Sequence, residues 1–399
     1  MSVSRICVIG AGTMGIGIAQ VGVLGGFETV LYDVDADVLD GAAMRLGEAL
    51  AKGTSRGRWS EEEAEDALEL LDFGHVPAHL AGCDLVIEAA PERLDLKREI
   101  FRELAEVLGP EAVFATNTSS LRVAEIATGV PHPERVVGMH FFNPPVLMKL
   151  VEVVATEHSS ERALTAATEV AEQMERTPIR AKDTPGFVAN RLARPFALES
   201  LRMLGDEVAD VETIDRIVRL GGGFRMGPFE LIDLIGLDVN LEIARSFFAQ
   251  SGELERWRPS PIQEKLVAEG RLGRKSGRGY YEYGKGRERE LDPELGILAP
   301  TLDPEKLSRI DPSAEEVLSR LFAQIANEAA FAREEGIASP EDMDTATVLG
   351  LNWPKGAIGI SKLIGPRRAL DVLEDLEEAK GEAYRPAPLL RAEAEQVAG

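Results

Sequence analysis

Three glycines near the N-terminus, Gly10, Gly12 and Gly15, follow directly on a short apolar segment, Arg5–Ile9. The segment is typical of a buried parallel strand. The G-x-G-x-x-G spacing allows a tight turn, close approach of backbone N–H groups to a pyrophosphate, and packing of the next helix on the strand. The helix start then faces the anion. The residues predicted to bind a nucleotide cofactor here are Gly10, Gly12, Thr13, Met14 and Gly15.

Asp33 ends a second apolar segment, downstream of the helix that Gly15 opens. A carboxylate roughly 20 residues beyond the glycines is suited to accept hydrogen bonds from a ribose diol. It also repels the 2′-phosphate of NADP, so NAD is the expected cofactor. Asp33 could instead only cap the next helix, and flavin binding uses the same glycine pattern.

His140 and Glu152 form a second chemical feature. His140 ends one apolar segment, and Glu152 lies in the middle of the next, Lys149 to Val154. A buried carboxylate needs a partner, and a histidine beside a carboxylate gains basicity and a fixed tautomer. Such a pair can remove the proton of an alcohol. The alternative is a structural ion pair with no part in chemistry.

These residues require a framework of alternating strands and helices. Further strands are predicted at 84–88, 112–116 and 135–139, with helices at 36–52 and 94–108 between them. This alternation indicates a doubly wound α/β sheet, in which ligands bind beyond the carboxyl ends of the strands. The polar residues that follow those ends are Glu92, Lys97, Asn117, Ser119, Ser120, His140 and Asn143.

Composition excludes several classes of protein. The 399 residues carry 68 acidic and 44 basic side chains, a net charge of −24, so nucleic acid is not expected as a partner. The uncharged segment 6–27 contains seven glycines, which argues against a signal peptide or membrane anchor. Two cysteines suit a reducing, cytoplasmic location. Pro77 interrupts the helix that would align His75, His79 and Cys83, so no metal site is expected.

Six motifs, in order, resemble the L-3-hydroxyacyl-CoA dehydrogenase family, and the match extends to about Tyr283. The resemblance implies NAD-dependent, reversible oxidation of an L-3-hydroxyacyl-CoA to the 3-ketoacyl-CoA, as in fatty-acid β-oxidation. The motifs are Gly10-Ala-Gly-Thr-Met-Gly15, Thr116-Asn-Thr-Ser-Ser-Leu121, Met139-His-Phe-Phe-Asn-Pro-Pro145, Met148-Lys-Leu-Val-Glu-Val153, Asp183-Thr-Pro-Gly-Phe-Val-Ala-Asn-Arg191 and Met226-Gly-Pro-Phe-Glu-Leu231.

The resemblance also implies a role for individual residues. His140 corresponds to the catalytic base and Glu152 to the carboxylate that orients it. Ser119 and Asn190 correspond to groups that bind the 3-oxygen and the thioester region. Lys52 and Arg56 lie where the family contacts CoA, although a solvated loop explains them equally well. The implied cofactor contacts are Asp33, Glu92, Lys97, Asn117, Ser119, Asn143 and Lys275.

The C-terminal half is helical and repeats itself at a constant offset along the chain. Arg191-Leu192 recurs as Arg320-Leu321, and Gly227 recurs as Gly356 in the same register. We therefore expect an NAD-binding Rossmann domain at 1–185, a helical domain at 186–284, a linker at 285–312 and a second, structural helical copy at 313–399. Either a monomer with an internal pseudo-dimer or a homodimer would satisfy this organisation.

Two further functions remain open at this point. The first is an NAD-dependent sugar-acid 3-dehydrogenase of similar fold, because a His–Glu pair serves any secondary alcohol. The second is a non-catalytic, crystallin-like relative that has kept the fold. The duplicated helical domain favours the acyl-CoA substrate over the sugar acid. Every expected catalytic position holds the required residue type, which argues against the non-catalytic relative.

Overall fold

The computed structural model describes residues 3–284 and 299–398. The chain divides into two compact units, Met1–Phe187 and Val188–Gly399. Part of the expected linker, residues 285–298, lies outside the described residues. Among the helices that are described, none combines the length and the apolar character needed to cross a membrane.

Unit 1 is built on an eight-stranded sheet with the order β3-β2-β1-β4-β5-β6-β7-β8. Neighbouring strands are parallel except for β6 and β7, which are antiparallel. The central strands are almost continuously buried, as expected for a parallel sheet covered on both faces. The strands are β1 (Arg5–Ile9), β2 (Glu28–Tyr32), β3 (Leu71–Gly74), β4 (Leu85–Glu88), β5 (Val113–Thr116), β6 (Val136–Phe141), β7 (Leu150–Ala155) and β8 (Thr177–Lys182).

Helices connect the strands of unit 1. Several begin with a side chain that accepts from a free backbone N–H group, such as Asp35 before α2 and Ser60, with Glu63, before α3. The predicted α/β class is confirmed. The helices are α1 (Thr13–Leu24), α2 (Ala36–Ser55), α3 (Glu61–Glu69), α4 (Leu94–Val107), α5 (Val123–Ala127) and α6 (Glu161–Gln173).

Unit 2 is built from helices, and its described residues form no β-strand beyond isolated bridges between residues 273 and 282. Its two longest helices, α7 and α13, are largely buried and pack against each other. The helices are α7 (Ala189–Gly205), α8 (Val211–Leu220), α9 (Pro228–Ile235), α10 (Leu237–Gln250), α11 (Pro261–Ala268), α12 (Pro304–Ser308), α13 (Ala314–Glu334), α14 (Pro340–Thr345), α15 (Ala357–Ile364), α16 (Pro366–Lys380) and α17 (Pro388–Ala398).

Two buried arginines join α7 and α13 through matching ion pairs. Arg191 contacts Glu328 and Glu335, each at 2.7 Å. Arg320 contacts Glu199 and Asp206, each at 2.8 Å. The offset that relates Arg191 to Arg320 also relates Glu199 to Glu328 and Asp206 to Glu335. We call these six residues the reciprocal cluster.

Candidate active site

The glycine-rich turn between β1 and α1 is open enough for a ligand at one glycine and closely packed at another. A Cβ atom added to Gly15 would lie 1.7 Å from the carbonyl oxygen of Gly10. A Cβ atom added to Gly12 would meet no atom of the described residues within 4 Å. Gly15 thus permits the helix to pack on the turn, whereas Gly12 leaves an open surface at the helix start for a pyrophosphate.

Asp33 follows β2 and lies beside this turn. Its Oδ2 accepts a hydrogen bond of 2.9 Å from the backbone N–H of Ala11, which fixes the carboxylate next to the glycines. A cavity of about 550 Å³ opens here, with Gly10, Asp33, Leu80, Pro91 and Ile100 among its lining residues. A carboxylate at the mouth of a mainly apolar cavity fits the ribose and adenine of a dinucleotide.

His140 and Glu152 face each other across the antiparallel pair β6 and β7. The strand register places them directly opposite, and directly opposite side chains lie within contact distance. The Nδ1 atom of His140 is 2.6 Å from Oε2 of Glu152. Glu152 is fully buried and His140 is 5% exposed, so water screens this interaction little.

This contact sets the chemistry that His140 can perform. When Nδ1 donates to the carboxylate, Nε2 carries the lone pair and can accept a proton. The rings of Phe142 and Phe187 lie with their centroids 4.5 and 5.8 Å from that of His140. The imidazole is therefore held in one orientation, and its apolar neighbours limit its contact with water.

Glu92 organises the segment after β5 that carries Ser119. Its Oε1 accepts from the hydroxyls of Thr118 and Ser120 at 2.6 and 2.8 Å, and from the backbone N–H groups of Ser119 and Ser120, each at 3.1 Å. Burial opposes ionisation of Glu92, but Lys97 and the two hydroxyls outweigh it and lower the pKa below its ordinary value. Ser119 itself is exposed.

Lys97 is buried and lies between two carboxylates. Its Nζ is 2.7 Å from Glu88 and 3.3 Å from Glu92. Glu88 also accepts from the hydroxyl of Thr116 at 2.7 Å. Lys97 is a residue that the sequence predicts for the site, whereas Glu88 is not. A carboxylate that ends an apolar strand was the signal that could have identified Glu88.

The remaining predicted residues of unit 1 occupy different positions. The side-chain oxygen of Asn117 accepts from the backbone N–H of Phe141 at 2.8 Å, which ties the end of β5 to β6. Asn143 is exposed in the turn after β6. Lys52 and Arg56 are exposed at the C-terminal end of α2.

Two predicted residues belong to unit 2. Asn190 is the second residue of α7. Lys275 lies in the turn before Gly277, and its Nζ is 2.6 Å from Asp238. Within residues 3–284 and 299–398, no three His, Cys, Asp or Glu side chains are grouped so that they could hold a metal ion.

Comparisons with known proteins identify the family to which the chain is similar. The family model described as the 3-hydroxyacyl-CoA dehydrogenase NAD-binding domain matches residues 5–184, and the model of the family's C-terminal domain matches 186–283 and again 317–396.

Individual relatives extend this match. The chain is 37% identical to a 3-hydroxyadipyl-CoA dehydrogenase of Escherichia coli, over 98% of this chain and 97% of the relative. It is 40% identical to a probable 3-hydroxybutyryl-CoA dehydrogenase of Deinococcus radiodurans, over 69% of this chain and 99% of the relative. A crystal structure of an Escherichia coli 3-hydroxybutyryl-CoA dehydrogenase matches all of both chains with 35% identity and a TM-score of 0.90. The chain belongs to the 3-hydroxyacyl-CoA dehydrogenase family and is an NAD-dependent oxidoreductase that acts on 3-hydroxyacyl-CoA thioesters.

Proposed function

We propose that His140 is the general base of this oxidation and that Glu152 positions it. The observation that carries the proposal is the 2.6 Å contact between His140 Nδ1 and a fully buried Glu152. The carboxylate keeps the proton on Nδ1 and stabilises the imidazolium that forms when Nε2 accepts the hydroxyl proton of the substrate. NAD, when bound, accepts the hydride from C3.

The other predicted residues bind and orient. Gly10, Gly12, Thr13, Met14, Gly15 and Asp33 hold the cofactor, together with Glu92, Lys97, Asn117, Ser119, Asn143 and Lys275. Because Glu92 fixes the backbone of Ser119, the Ser119 hydroxyl has a defined position from which to bind the 3-oxygen of the substrate. Asn190 contributes a second polar group for the thioester region. Exposed Lys52 and Arg56 offer positive charge to the CoA phosphates in a chain of net charge −24.

We also propose that residues 186–284 and 313–399 are two copies of one helical domain, after a Rossmann domain at 1–185 and with a linker at 285–312. The double match of one family model and the constant offset within the reciprocal cluster support this. The second copy has Ser319 where the first has Asn190, so its role is structural. It replaces a dimer partner within a monomer; a stable, active, monomeric chain truncated near Asp303 would refute this.

We infer the cellular location of the enzyme from its two cysteines and the class of its partner from its net charge. Both Cys7 and Cys83 are free and buried, and we propose a reducing, cytoplasmic location. A net charge of −24 favours a small thioester over nucleic acid as the partner.

Substitution of the proposed base tests the mechanism. His140→Ala should lower kcat by about 10³-fold, within the range for loss of a general base, while the affinity for NAD stays near that of the wild type. Glu152→Gln should also lower kcat, because its amide can donate to Nδ1 and so stabilise the tautomer that has the proton on Nε2.

Nicotinamide absorbance with 3-hydroxybutyryl-CoA measures turnover, and exposed Glu157→Gln is the control for Glu152. Undiminished turnover of His140→Ala would overturn the assignment of the base. Wild-type silence with every CoA thioester, alongside NAD binding, would instead favour a sugar-acid substrate or a non-catalytic protein.

A further inference from the structure

Arg194, in α7, is a buried cation without a hydrogen-bonding partner for two of its nitrogens. It is 6% exposed, and its Nε and Nη1 atoms are buried and form no hydrogen bond within the described residues. The ring of Phe247 lies 5.3 Å from its Cζ atom. Burial lowers the pKa of Arg194 to about 10, a value that still leaves the guanidinium charged at neutral pH.

The same helix shows what a paired buried arginine looks like. Arg191, earlier on α7, is 1% exposed and contacts Glu328 and Glu335. A buried charge is expensive unless a counter-charge and hydrogen bonds compensate it. Arg194 has an aromatic face but no carboxylate within ion-pair distance among the described residues. A bound anion would supply the counter-charge and the hydrogen-bond acceptors that Arg194 lacks within the described residues.

The position of Arg194 on α7 indicates which molecule would supply that anion. Asn190 lies one turn earlier on the same helix face, about 6 Å along the axis. Long side chains on a helix lean toward its N-terminus, so a side chain at position 194 extends toward the turn that carries Asn190. Leu198, one turn further on the same face, packs with Phe247 and Trp257 in an apolar cluster.

We propose that Arg194 binds a carboxylate at the far end of the acyl group, so that the substrate is the CoA thioester of a 3-hydroxydicarboxylic acid. The proposal rests on the proposed function, in which Asn190 binds the thioester region. The buried Nε and Nη1 atoms of Arg194, which form no hydrogen bond within the described residues, can donate charge-assisted hydrogen bonds to a carboxylate. The phosphates of CoA are the other available anions, and two substrates that carry the same CoA but differ at the end of the acyl group separate the two sources.

The experiment compares two substrates of equal chain length. 3-Hydroxyadipyl-CoA ends in a carboxylate and 3-hydroxyhexanoyl-CoA ends in a methyl group, while both carry the same CoA. We expect the wild type to have a kcat/KM about 10- to 100-fold higher for the dicarboxylic substrate, the range of one charged hydrogen-bonding interaction. Arg194→Met should abolish that preference and leave turnover of 3-hydroxyhexanoyl-CoA within about threefold of the wild type, since no carboxylate contact is lost there.

Matched variants exclude indirect effects. Arg245→Met removes an exposed arginine from α10, the helix that carries Phe247, and should keep the preference. Arg194→Met should melt at or above the wild-type temperature, because it removes an unpaired buried charge. Arg194→Lys, which keeps the charge but loses the planar fork, should retain part of the preference.

Each remaining outcome is decisive. A wild type without preference for the carboxylate, or an Arg194→Met variant that keeps it, would overturn the proposal. An equal loss with both substrates would assign the anion to CoA and overturn it as well. If Arg194→Met does not fold, the wild-type comparison and Arg194→Lys decide. Failure of the wild type to turn over either thioester would count against the proposed function itself.

Discussion

At the scale of single residues, several buried charges have an ion-pair partner within the described residues. Lys97 has Glu88, Arg191 has Glu328 and Arg320 has Glu199. A buried ion pair adds little net stability, but removal of one partner is costly because the other charge is left buried and uncompensated. Arg194 differs from these residues, because it has no carboxylate within ion-pair distance among the described residues, and the proposed ligand would supply that counter-charge.

Asp33 provides a test of cofactor choice at this scale. Asp33→Ala removes the proposed acceptor of the ribose diol, and we expect the KM for NAD to rise about 10- to 100-fold. The kcat at saturating NAD should change much less, because the nicotinamide end is not altered. Discrimination against NADP should relax, since the charge that repels the 2′-phosphate is gone.

Steady-state kinetics with both cofactors measure these effects. Asp35→Ala is a useful control, because Asp35 is a neighbouring carboxylate whose side chain caps α2. Asp33→Ala with unchanged discrimination between NAD and NADP would exclude the proposed role of Asp33.

At the scale of elements, two glycines in the turn between β1 and α1 have different roles. We expect Gly15 to be required for folding and Gly12 to be required for binding of the cofactor. Gly15→Ala places a Cβ atom 1.7 Å from a carbonyl oxygen, so it should destabilise the protein by about 2–4 kcal/mol, a size typical of severe local disruption. Gly12→Ala meets no described atom and has an ordinary backbone φ of −77°. It should leave the melting temperature of the free protein unchanged but weaken NAD binding, because its methyl group enters the pyrophosphate surface.

Thermal melting with and without NAD distinguishes the two variants. A bound ligand stabilises the folded protein by an amount that grows with the logarithm of the ratio of its concentration to its Kd. At an NAD concentration near the wild-type Kd, Gly12→Ala should lose most of the increase in melting temperature. A Gly12→Ala variant that binds NAD as tightly as the wild type would show that the pyrophosphate lies elsewhere.

The sequence predicted the interior of the sheet better than its edges. Strands β1, β4 and β5 are continuous apolar segments and were predicted within one residue of each boundary. The two edge strands β3 and β8 were missed. Leu71–Gly74 contains an exposed aspartate and ends in glycine, so it is not a continuous apolar segment. Thr177–Lys182 contains Pro178, and proline is tolerated at a sheet edge but argues against a strand.

The candidate site was predicted to a similar extent. Residue type and position after a strand were enough to select His140, Glu152 and Asp33. The partners of Glu92 and Lys97 were not predictable, because they depend on which side chains of different strand ends meet in space. Arg194 was overlooked because its charge, in an otherwise amphipathic helix, is typical of a solvated residue when burial is unknown.

At the scale of the whole molecule, the reciprocal cluster links residues that lie far apart in the sequence. Within this cluster, Asp206 has a lowered pKa whose effect on the stability of the protein can be measured. Burial opposes its ionisation, but hydrogen bonds from Lys380 and Arg320 outweigh that effect and lower its pKa below the ordinary value of 3.8. A group whose pKa is lower in the folded state stabilises the fold above its unfolded pKa, and that contribution disappears as the pH falls through the folded value.

Asp206→Asn should therefore show a pH-dependent loss of stability. At pH 7 we expect the variant to be less stable by about 1–2 kcal/mol, since charged hydrogen bonds are weakened. The difference should begin to shrink below pH ~4, the pKa of an aspartate in the unfolded chain, and should disappear as the pH falls through the lower pKa of the folded state. Melting curves from pH 7 to pH 3 measure it, with the exposed Asp375→Asn on α16 as control. A constant difference across this range would contradict the assigned pKa direction.

The reciprocal cluster has a consequence for how this protein can change over evolution. In a symmetric homodimer, one codon specifies both halves of an interface, so every substitution appears twice at once. Here the two halves are encoded separately, and they have already diverged: Asp206 matches Glu335, and the indole N–H of Trp257 donates to Glu328 where the hydroxyl of Tyr384 approaches Glu199. Each half can therefore acquire substitutions that a symmetric pair could not tolerate in duplicate.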